Sequence, residues 1–517
     1  MSSRLTRLSW IVALVLFPLA FGAAGAAAPG GDRSTIVFAD GSEPIGLYPP
    51  PSAGPPGTLN YLLYDPLVGH NARMEPDARL GLATSWEVGA DKLTWTFHLR
   101  KNVKFQDGTD FDANAVKVTL DAILDPATGA YRRAVFLVIK EVKVVDPYTA
   151  QIVTAQPFPD LPFLLMDQTA SIVSPTALKK AGVADFNHHP VGTGPYRFVE
   201  WVPNDHIAFA ANPNYWRGKP KTAHIIYRQV PEGSARTAML KTGEIDIAMN
   251  VAPSDLAALK ADPNVTVVQR DSVVQVTSEM RQSKPPFSIK AVRQAMNYAL
   301  DKEGIVKSIM YGAGRAADSP GLPGEWGYVG LKPYTYDPIK AKALLAQAGY
   351  PNGFEGNLFY VPGRWAGDEQ VVEAMQANWA AVGVKVNLHK TDNPGLGDYL
   401  QRDPNAMAGW TSMQIRSSAY LDFHLYRLFT CAATATPQSD SRSGYCDSKV
   451  DELIAKGRST FDLNERKRYY ADAQRVIWDD APFIWVFVRA NLLGTRKAVT
   501  GYEYLPIGDL RLFAAAK

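Results

Sequence analysis

The chain has 517 residues, too many for one hydrophobic core, so two or three domains are expected. Hydrophobic residues make up 46% and charged residues 20%, the balance of a folded soluble protein rather than a disordered one. With 54 Lys+Arg against 51 Asp+Glu and no basic run, nucleic acid is set aside as a partner.

The N-terminus reads as an export signal over residues 1–27. Arg4 and Arg7 form a positive region, Leu8 to Phe21 is apolar with an interruption at Pro18, and Gly22 to Ala28 is a run of small residues. A membrane anchor is the alternative, but the apolar stretch is short of a full span. No Cys lies near the cut, so the expected product is a free, exported protein and not a lipoprotein.

Ser34 to Ala39 is a short apolar run suited to a first strand, and six prolines between Pro44 and Pro56 make the following stretch an extended loop. Leu93 to Arg100 alternates, with Leu93, Trp95, Phe97 and Leu99 on one face, the pattern of a half-buried strand. Asp110 and Asp112 can cap a helix whose apolar face is Val116, Leu120 and Ile123. Val142–Val145 and Ala150–Thr154 flank Asp146-Pro147 as a hairpin. From Ile225 the order is strand, helix (Ser234 to Lys241), strand (Ile245 to Ala248). This is βαβ grammar, which predicts a mainly parallel sheet. It returns with a helix on Val371, Met375, Trp379 and Val382 and a strand on Val384, Val386 and Leu388. Between these, Ile289 to Leu300 is helical, with Ser288 as its cap and Gly312 stopping a later helix. A last amphipathic helix carries Tyr469, Ala473, Val476 and Ile477 before Pro482. The chain is thus α/β, with two α/β regions and a β-rich insertion in the first.

No catalytic signature stands out: HExxH, GxSxG, a P-loop and GxGxxG are all missing. Gly192-Thr193-Gly194-Pro195 breaks both phosphate-loop patterns. Asp107, Asp110 and Asp112 do not have EF-hand spacing, and the adjacent His188 and His189 would point apart in an extended segment, so no metal site is expected. No cofactor is expected either. Only Cys431 and Cys446 are present; in an exported chain such a pair tends to bridge, and two buried free thiols are the alternative.

Several segments together resemble the bacterial extracellular solute-binding proteins of family 5, the dipeptide- and oligopeptide-binding proteins of ABC importers. They are Leu82 to Val88 with the stretch from Leu93 to Pro126, Pro190 to Tyr196, Asn212 to Trp216, Ala291 to Asp301, and Tyr445 to Pro482. The resemblance implies a periplasmic-binding-protein type II-like fold, two α/β lobes with a ligand cleft and an extra β-rich subdomain in the first lobe. It implies lobe I at 28–272 with its insertion at about 75–190, lobe II at 273–487, and a return to lobe I at 488–517. The chain crossings would fall near Ser272 to Thr277 and Val486 to Ala490. It further implies a monomer that captures a peptide or peptide-like solute and passes it to an ABC importer permease, and it supports a Cys431–Cys446 bridge. The same scaffold could take an opine, a sugar derivative or a metal chelate, and a secreted hydrolase is the alternative of another class.

Cleft candidates follow from strand ends and from family positions: Ser42, Glu43, Arg281, Arg364, Trp365, Trp410, Thr411, Ser412 and Asp422. Arg281 stands where family members usually carry Asn. Trp410-Thr411 matches the family's Gly-Trp-Thr site, but the loop continues Ser412-Met413-Gln414-Ile415-Arg416 without the Asp that pairs with a peptide amino group in dipeptide binders. Arg281, Arg364 and Arg416 together suggest an anionic solute, since Arg grips carboxylates with paired hydrogen bonds. Arg281 also shares a strand face with Glu279 and could pair with it instead.

Overall fold

The computed structural model describes residues 34–50, 57–130, 132–362, 367–391, 411–417, 421–434, 441 and 443–517, with the backbone alone at 411–417 and 434. The export-signal region, Arg364, Trp365 and Trp410 lie outside them.

β1 (Thr35–Asp40) is the apolar run expected after the signal, and Ile36 and Phe38 on it are fully buried. The next strands form a sheet of their own: β2 (Ala83–Val88), β3 (Thr94–Leu99), β4 (Ile139–Asp146) and β5 (Thr149–Thr154), in the order β2-β3-β5-β4. The alternation on β3 is realised, since Trp95, Phe97 and Leu99 are buried against Val116, Leu120 and Ile123 of the helix Ala113–Leu124. Asp112 caps that helix, accepting from the Ala115 N–H at 3.1 Å, whereas Asp110 pairs with Lys104 at 2.7 Å.

The chain then returns through β6 (Tyr196–Val202), β7 (His206–Ala211), β8 (His224–Gln229) and β9 (Ile247–Met249) to two long strands. These are β10 (Val265–Glu279) and β15 (Phe483–Arg496). Between them lie β11 (Gly314–Ala316), β12 (Glu355–Tyr360), β13 (Lys385–Lys390) and β14 (Thr411–Ser417). Two short strands, β16 (Glu503–Tyr504) and β17 (Leu510–Arg511), follow.

The nine-stranded sheet runs β14-β10-β15-β9-β1-β8-β7-β6, with β11 on β15. The expectation of a mainly parallel sheet is corrected here. β1–β8 and β1–β9 are parallel, as a βαβ unit requires, but β6–β7, β7–β8, β9–β15, β10–β15, β10–β14 and β11–β15 are antiparallel. Hairpins join β6 to β8, and β15 enters beside β9 from the opposite direction. A second correction concerns Ser288: Ile289 holds the N-cap position of the helix Lys290–Tyr298 without a side-chain bond. The Ser288 N–H donates to the Lys284 carbonyl at 3.1 Å and its carbonyl accepts from Arg293 at 3.1 Å, so the chain is still turning there. The helix before Gly312, Lys302–Ser308, already ends with Ile309 as its C-cap, and Gly312 follows in the turn beyond it, with φ of 77° in the left-handed region that glycine adopts without strain.

The apolar cores are separate. One gathers Ile36, Phe38, Tyr196, Tyr227 and Leu493 around β1. Another gathers Val292, Met296, Leu358, Met375, Trp379 and Val486. A third holds Leu425, Phe429, Tyr470, Ile477 and Trp485. β10 and β15 thread from the first to the others, and between them sits a small cluster of Val273, Leu322 and Val488. Cys431 and Cys446 are bridged, tying the end of the helix Leu421–Phe429 to the start of the helix Ser448–Ser459.

Candidate functional site

The β10–β15 ladder breaks where the cores change. Asp271 faces Ala490 and Gln275 faces Val488, so Ser272, Val273 and Val274 bulge opposite Arg489 alone. The Ser272 hydroxyl organises the bulge, donating to the Arg489 carbonyl at 2.7 Å and accepting from the Val274 N–H at 3.0 Å.

Beside this break the carboxyl ends of β1 and β9 open onto a chamber of about 180 Å³, lined by Asp40, Asn250, Arg489, Asn491 and Asp509 among others. Ligands of α/β sheets gather at such strand ends. Asp40 Oδ1 accepts from the Gly41 N–H at 2.7 Å and from Asn250 Nδ2 at 2.8 Å. Asn250 turns the chain with φ of 50°, which asparagine tolerates. Asn491 is anchored by donating to the Pro506 carbonyl at 2.7 Å. Asp509 accepts from Gln168 Nε2 at 3.0 Å. Burial, with a smaller contribution from the Asp40 charge, pushes its carboxyl up to about 7. Burial also lowers the pKa of Arg489 below the ordinary guanidinium value.

A larger groove of about 840 Å³ includes Arg73, Arg270, Asp271, Trp326, Arg468 and Arg475. Much of its charge is already paired: Arg73 with Glu75 at 3.3 Å, Arg468 with Glu465 at 3.3 Å, Arg475 with Asp472 at 2.6 Å, and Asp271 with Arg315 at 3.1 Å. Exposed pairs of this kind contribute little and leave little for a ligand. The smaller chamber is a candidate on a different ground, the convergence of its polar groups at the strand ends.

The sequence-derived candidates are distributed around this region rather than gathered in the chamber. The Glu43 carboxylate accepts from Trp201 Nε1 at 2.9 Å and the Asn204 N–H at 3.1 Å, which fixes it to the β6–β7 turn. Ser42 is exposed, and its carbonyl accepts from the Tyr227 hydroxyl. Arg281 follows the end of β10 and is half-buried. Thr411 and Ser412 begin β14, where Thr411 faces Glu279 in the ladder. Asp422 is buried, accepting from the Tyr470 hydroxyl at 2.9 Å and pairing with Arg458 at 3.4 Å.

Sequence reasoning did not single out Asp40, Asn250, Arg489, Asn491 or Asp509. Arg489 carried a signal, as the lone charge in the otherwise apolar run from Phe483 to Ala490. The other four become neighbours only through the sheet.

Residues 77–428 match the family model of the bacterial extracellular solute-binding proteins, family 5 middle. The chain is 33% identical over 435 residues to the glutathione-binding protein GsiB of Escherichia coli O1:K1 / APEC, an alignment covering 82% of this chain and 83% of that protein. Among solved structures it is similar to HbpA2 from Haemophilus parasuis, with a TM-score of 0.84 and 27% identity over 93% of this chain and 99% of that one. It is also similar to the ABC transporter-associated periplasmic binding protein DppA from Helicobacter pylori in complex with the peptide STSA, with a TM-score of 0.75 and 27% identity over 93% of this chain and 98% of that one.

Proposed function

The chain belongs to family 5 of the bacterial extracellular solute-binding proteins, and we propose from this that its solute is held at the β10–β15 crossing and released by a hinge there. It is the substrate-binding component of an ABC importer, and its relatives are transport binding proteins rather than enzymes. Among the described residues no helix is long and apolar enough to cross a membrane. Delivery from the periplasm after signal cleavage is part of the same reading, with lobe boundaries close to 272 and 487.

The observation that carries the hinge is the ladder break at Ser272–Val274, where three residues of one crossing oppose one of the other. A bulged ribbon between separate apolar cores, flanked by β11 at Arg489 and by β14 at Val274, is where backbone rotation would be concentrated. Arg281, Thr411 and Ser412, at the far end of the same ribbon, would meet the solute from the second lobe. GsiB is named for glutathione and DppA was solved with a tetrapeptide, which favours a peptide or peptide-like solute here.

The test has two arms. Mass spectrometry of the small molecule that leaves the native protein on denaturation should identify a peptide or peptide-like compound. Re-adding it should raise the melting temperature without turnover, because only the folded state binds it. Solution scattering should show compaction on binding, and an unchanged radius of gyration would refute the hinge.

A further inference from the structure

A groove of about 380 Å³ is walled by rings: Trp86 of β2, Trp95 of β3, Phe163, Trp326 and Phe461. Leu463, 54% exposed, stands at its edge. The β2–β3 ladder pairs Trp86 with Phe97 and Trp95 with Val88, so both indoles share one face of the four-stranded sheet. Phe461 is placed by the cap of the helix Leu463–Asp480. Asp462 accepts from the Glu465 N–H at 2.8 Å, which puts Phe461 just before the cap and Arg466 at the fourth helical position. A hydrophobic residue before a cap commonly packs on that fourth position. Here Arg466 is committed to Asp160 and to the Gly457 carbonyl, and the Phe461 ring lies 6.1 Å from Trp95 instead.

Trp95 points to a ligand. The residue is 6% exposed, and its Nε1 has no hydrogen-bond partner among the described residues. A buried indole N–H usually finds an acceptor, and one left unmet costs its desolvation in full. The charges around the groove are already matched: Glu75 pairs with Arg73 at 3.3 Å, and Arg466 with Asp160. Cations also occupy two of the rings, with Lys92 at 4.8 Å from the centre of Phe461 and Arg466 at 4.8 Å from that of Trp326. An ion entering here would disturb these pairs. What the groove leaves unmet is apolar surface and one donor.

We propose that this groove is a second small-molecule site, for an uncharged planar aromatic compound whose carbonyl oxygen accepts the Trp95 N–H. Its volume lies at the low end of ligand pockets, which suits a molecule of roughly one or two rings. None of its lining residues lines the chamber at the strand ends, so the site goes beyond the solute-binding reading and does not rest on it. An occupant would touch β2, β3 and the helix Leu463–Asp480 at once, adding to the tie between Arg466 and Asp160.

The test uses the full chain, isotopically labelled on its tryptophan indole nitrogens, and follows the Trp95 resonance by NMR; its loss in Trp95→Phe identifies it. The probes are acetophenone, ethylbenzene and benzoate. Acetophenone should move the Trp95 resonance downfield and saturably. Ethylbenzene has the ring without the acceptor and should bind roughly three- to tenfold more weakly, the worth of one hydrogen bond. Benzoate, which brings a charge, should bind more weakly than acetophenone too. In Trp95→Phe, acetophenone should fall to the affinity of ethylbenzene, read from the ligand's own signals. Leu463→Trp, a change at an exposed position, should fill the edge of the groove and abolish the Trp95 shift. A Trp95 resonance that no probe moves overturns the site and leaves the donor to water. Equal affinity for acetophenone and ethylbenzene, or unchanged acetophenone binding in folded Trp95→Phe, overturns the hydrogen bond and with it the ligand class. A full shift retained in Leu463→Trp overturns the location. Each of these outcomes leaves solute binding at the crossing standing, because no probe reports on it.

Discussion

Arg466 and Asp160 form an ion pair, 306 positions apart in the chain, with both side chains 1% exposed. Asp160 leads into the short helix Leu161–Leu164 beside the four-stranded sheet, and Arg466 lies in the helix Leu463–Asp480. Tyr470 extends the network, donating to Asp422 at 2.9 Å and reaching Asp160 at 3.4 Å. Arg466 also donates to the Gly457 carbonyl at 3.2 Å. The pair thus ties the segment beside the four-stranded sheet to the helix Leu463–Asp480. Burying two charges costs desolvation that their attraction only partly offsets, so the pair serves registry more than stability.

Arg466→Gln should therefore destabilise the arrangement by about 3–5 kcal/mol, because Asp160 is left buried without its counter-charge. The melting temperature should fall, and scattering should show a larger radius of gyration in the presence of ligand. The double variant Asp160→Leu with Arg466→Met, apolar and similar in volume, should recover most of the loss. A single variant as stable and compact as the parent would show that the pair does not hold the two parts together.

The disulfide gives a second prediction. Cys431 and Cys446 close a loop with a sequence separation of 15, whose chain-entropy contribution is about 3 kcal/mol. The bridge also steadies two helix ends: the Cys431 N–H donates to Asp451 at 2.9 Å, and Cys446 precedes Asp447, which caps the helix Ser448–Ser459 at Val450. Replacing both cysteines with serine should lower the urea midpoint accordingly. The parent should show two missing hydrogens in intact mass before reduction, and alkylation of two free thiols in unreduced protein would contradict the bridge.

How much of this was legible beforehand depends on the range of the interaction. The alternation at Trp95, Phe97 and Leu99, the Asp112 cap and the β8-helix-β9 order are local, and the structure realises them. Sheet sense was misread because it is decided by partners such as Val276 and Phe487, which no local period connects. The chamber was invisible for the same reason: Asp40 and Asp509, distant in sequence, line it together only in the folded chain. The family resemblance supplied the fold and the function class, but it pointed to ligand positions by analogy, and this chain departs from that pattern after Trp410.

That departure sets up a contrast between the arginine candidates and Asp422. Arg281 sits half-buried at the end of β10, so Arg281→Ala should weaken binding of the identified solute by about 2 kcal/mol if it grips a carboxylate, and Arg364→Ala should do likewise. Asp422 is already engaged by Tyr470 and Arg458. Asp422→Asn should lower the melting temperature while affinity stays within about twofold. Calorimetry on folded variants decides: unchanged affinity in both arginine variants removes the anionic-solute reading, and a stable Asp422→Asn with lost affinity moves Asp422 into the ligand shell.

Lys302 makes the pH dependence testable. Its side chain is enclosed, with the residue 2% exposed. Its ammonium reaches Asn297 Oδ1 at 3.4 Å and lies 5.3 Å from the centre of the Tyr334 ring. Burial pushes its pKa down to about 7, against an unfolded value of about 10.4. Between those values the unfolded chain binds more protons than the folded one, so this residue makes stability rise with pH across that window. Below about pH 7 both states are protonated and the slope vanishes, leaving the cost of the buried charge in full. Lys302→Met should therefore be more stable than the parent near neutral pH, with the difference shrinking as pH rises toward about 10. Asn297 Oδ1 keeps the Trp485 N–H at 3.0 Å as its donor, so the substitution strands no acceptor. Urea titrations of both proteins at several pH values measure the difference directly. A difference independent of pH from neutral to alkaline would mean that Lys302 keeps its ordinary pKa despite its burial.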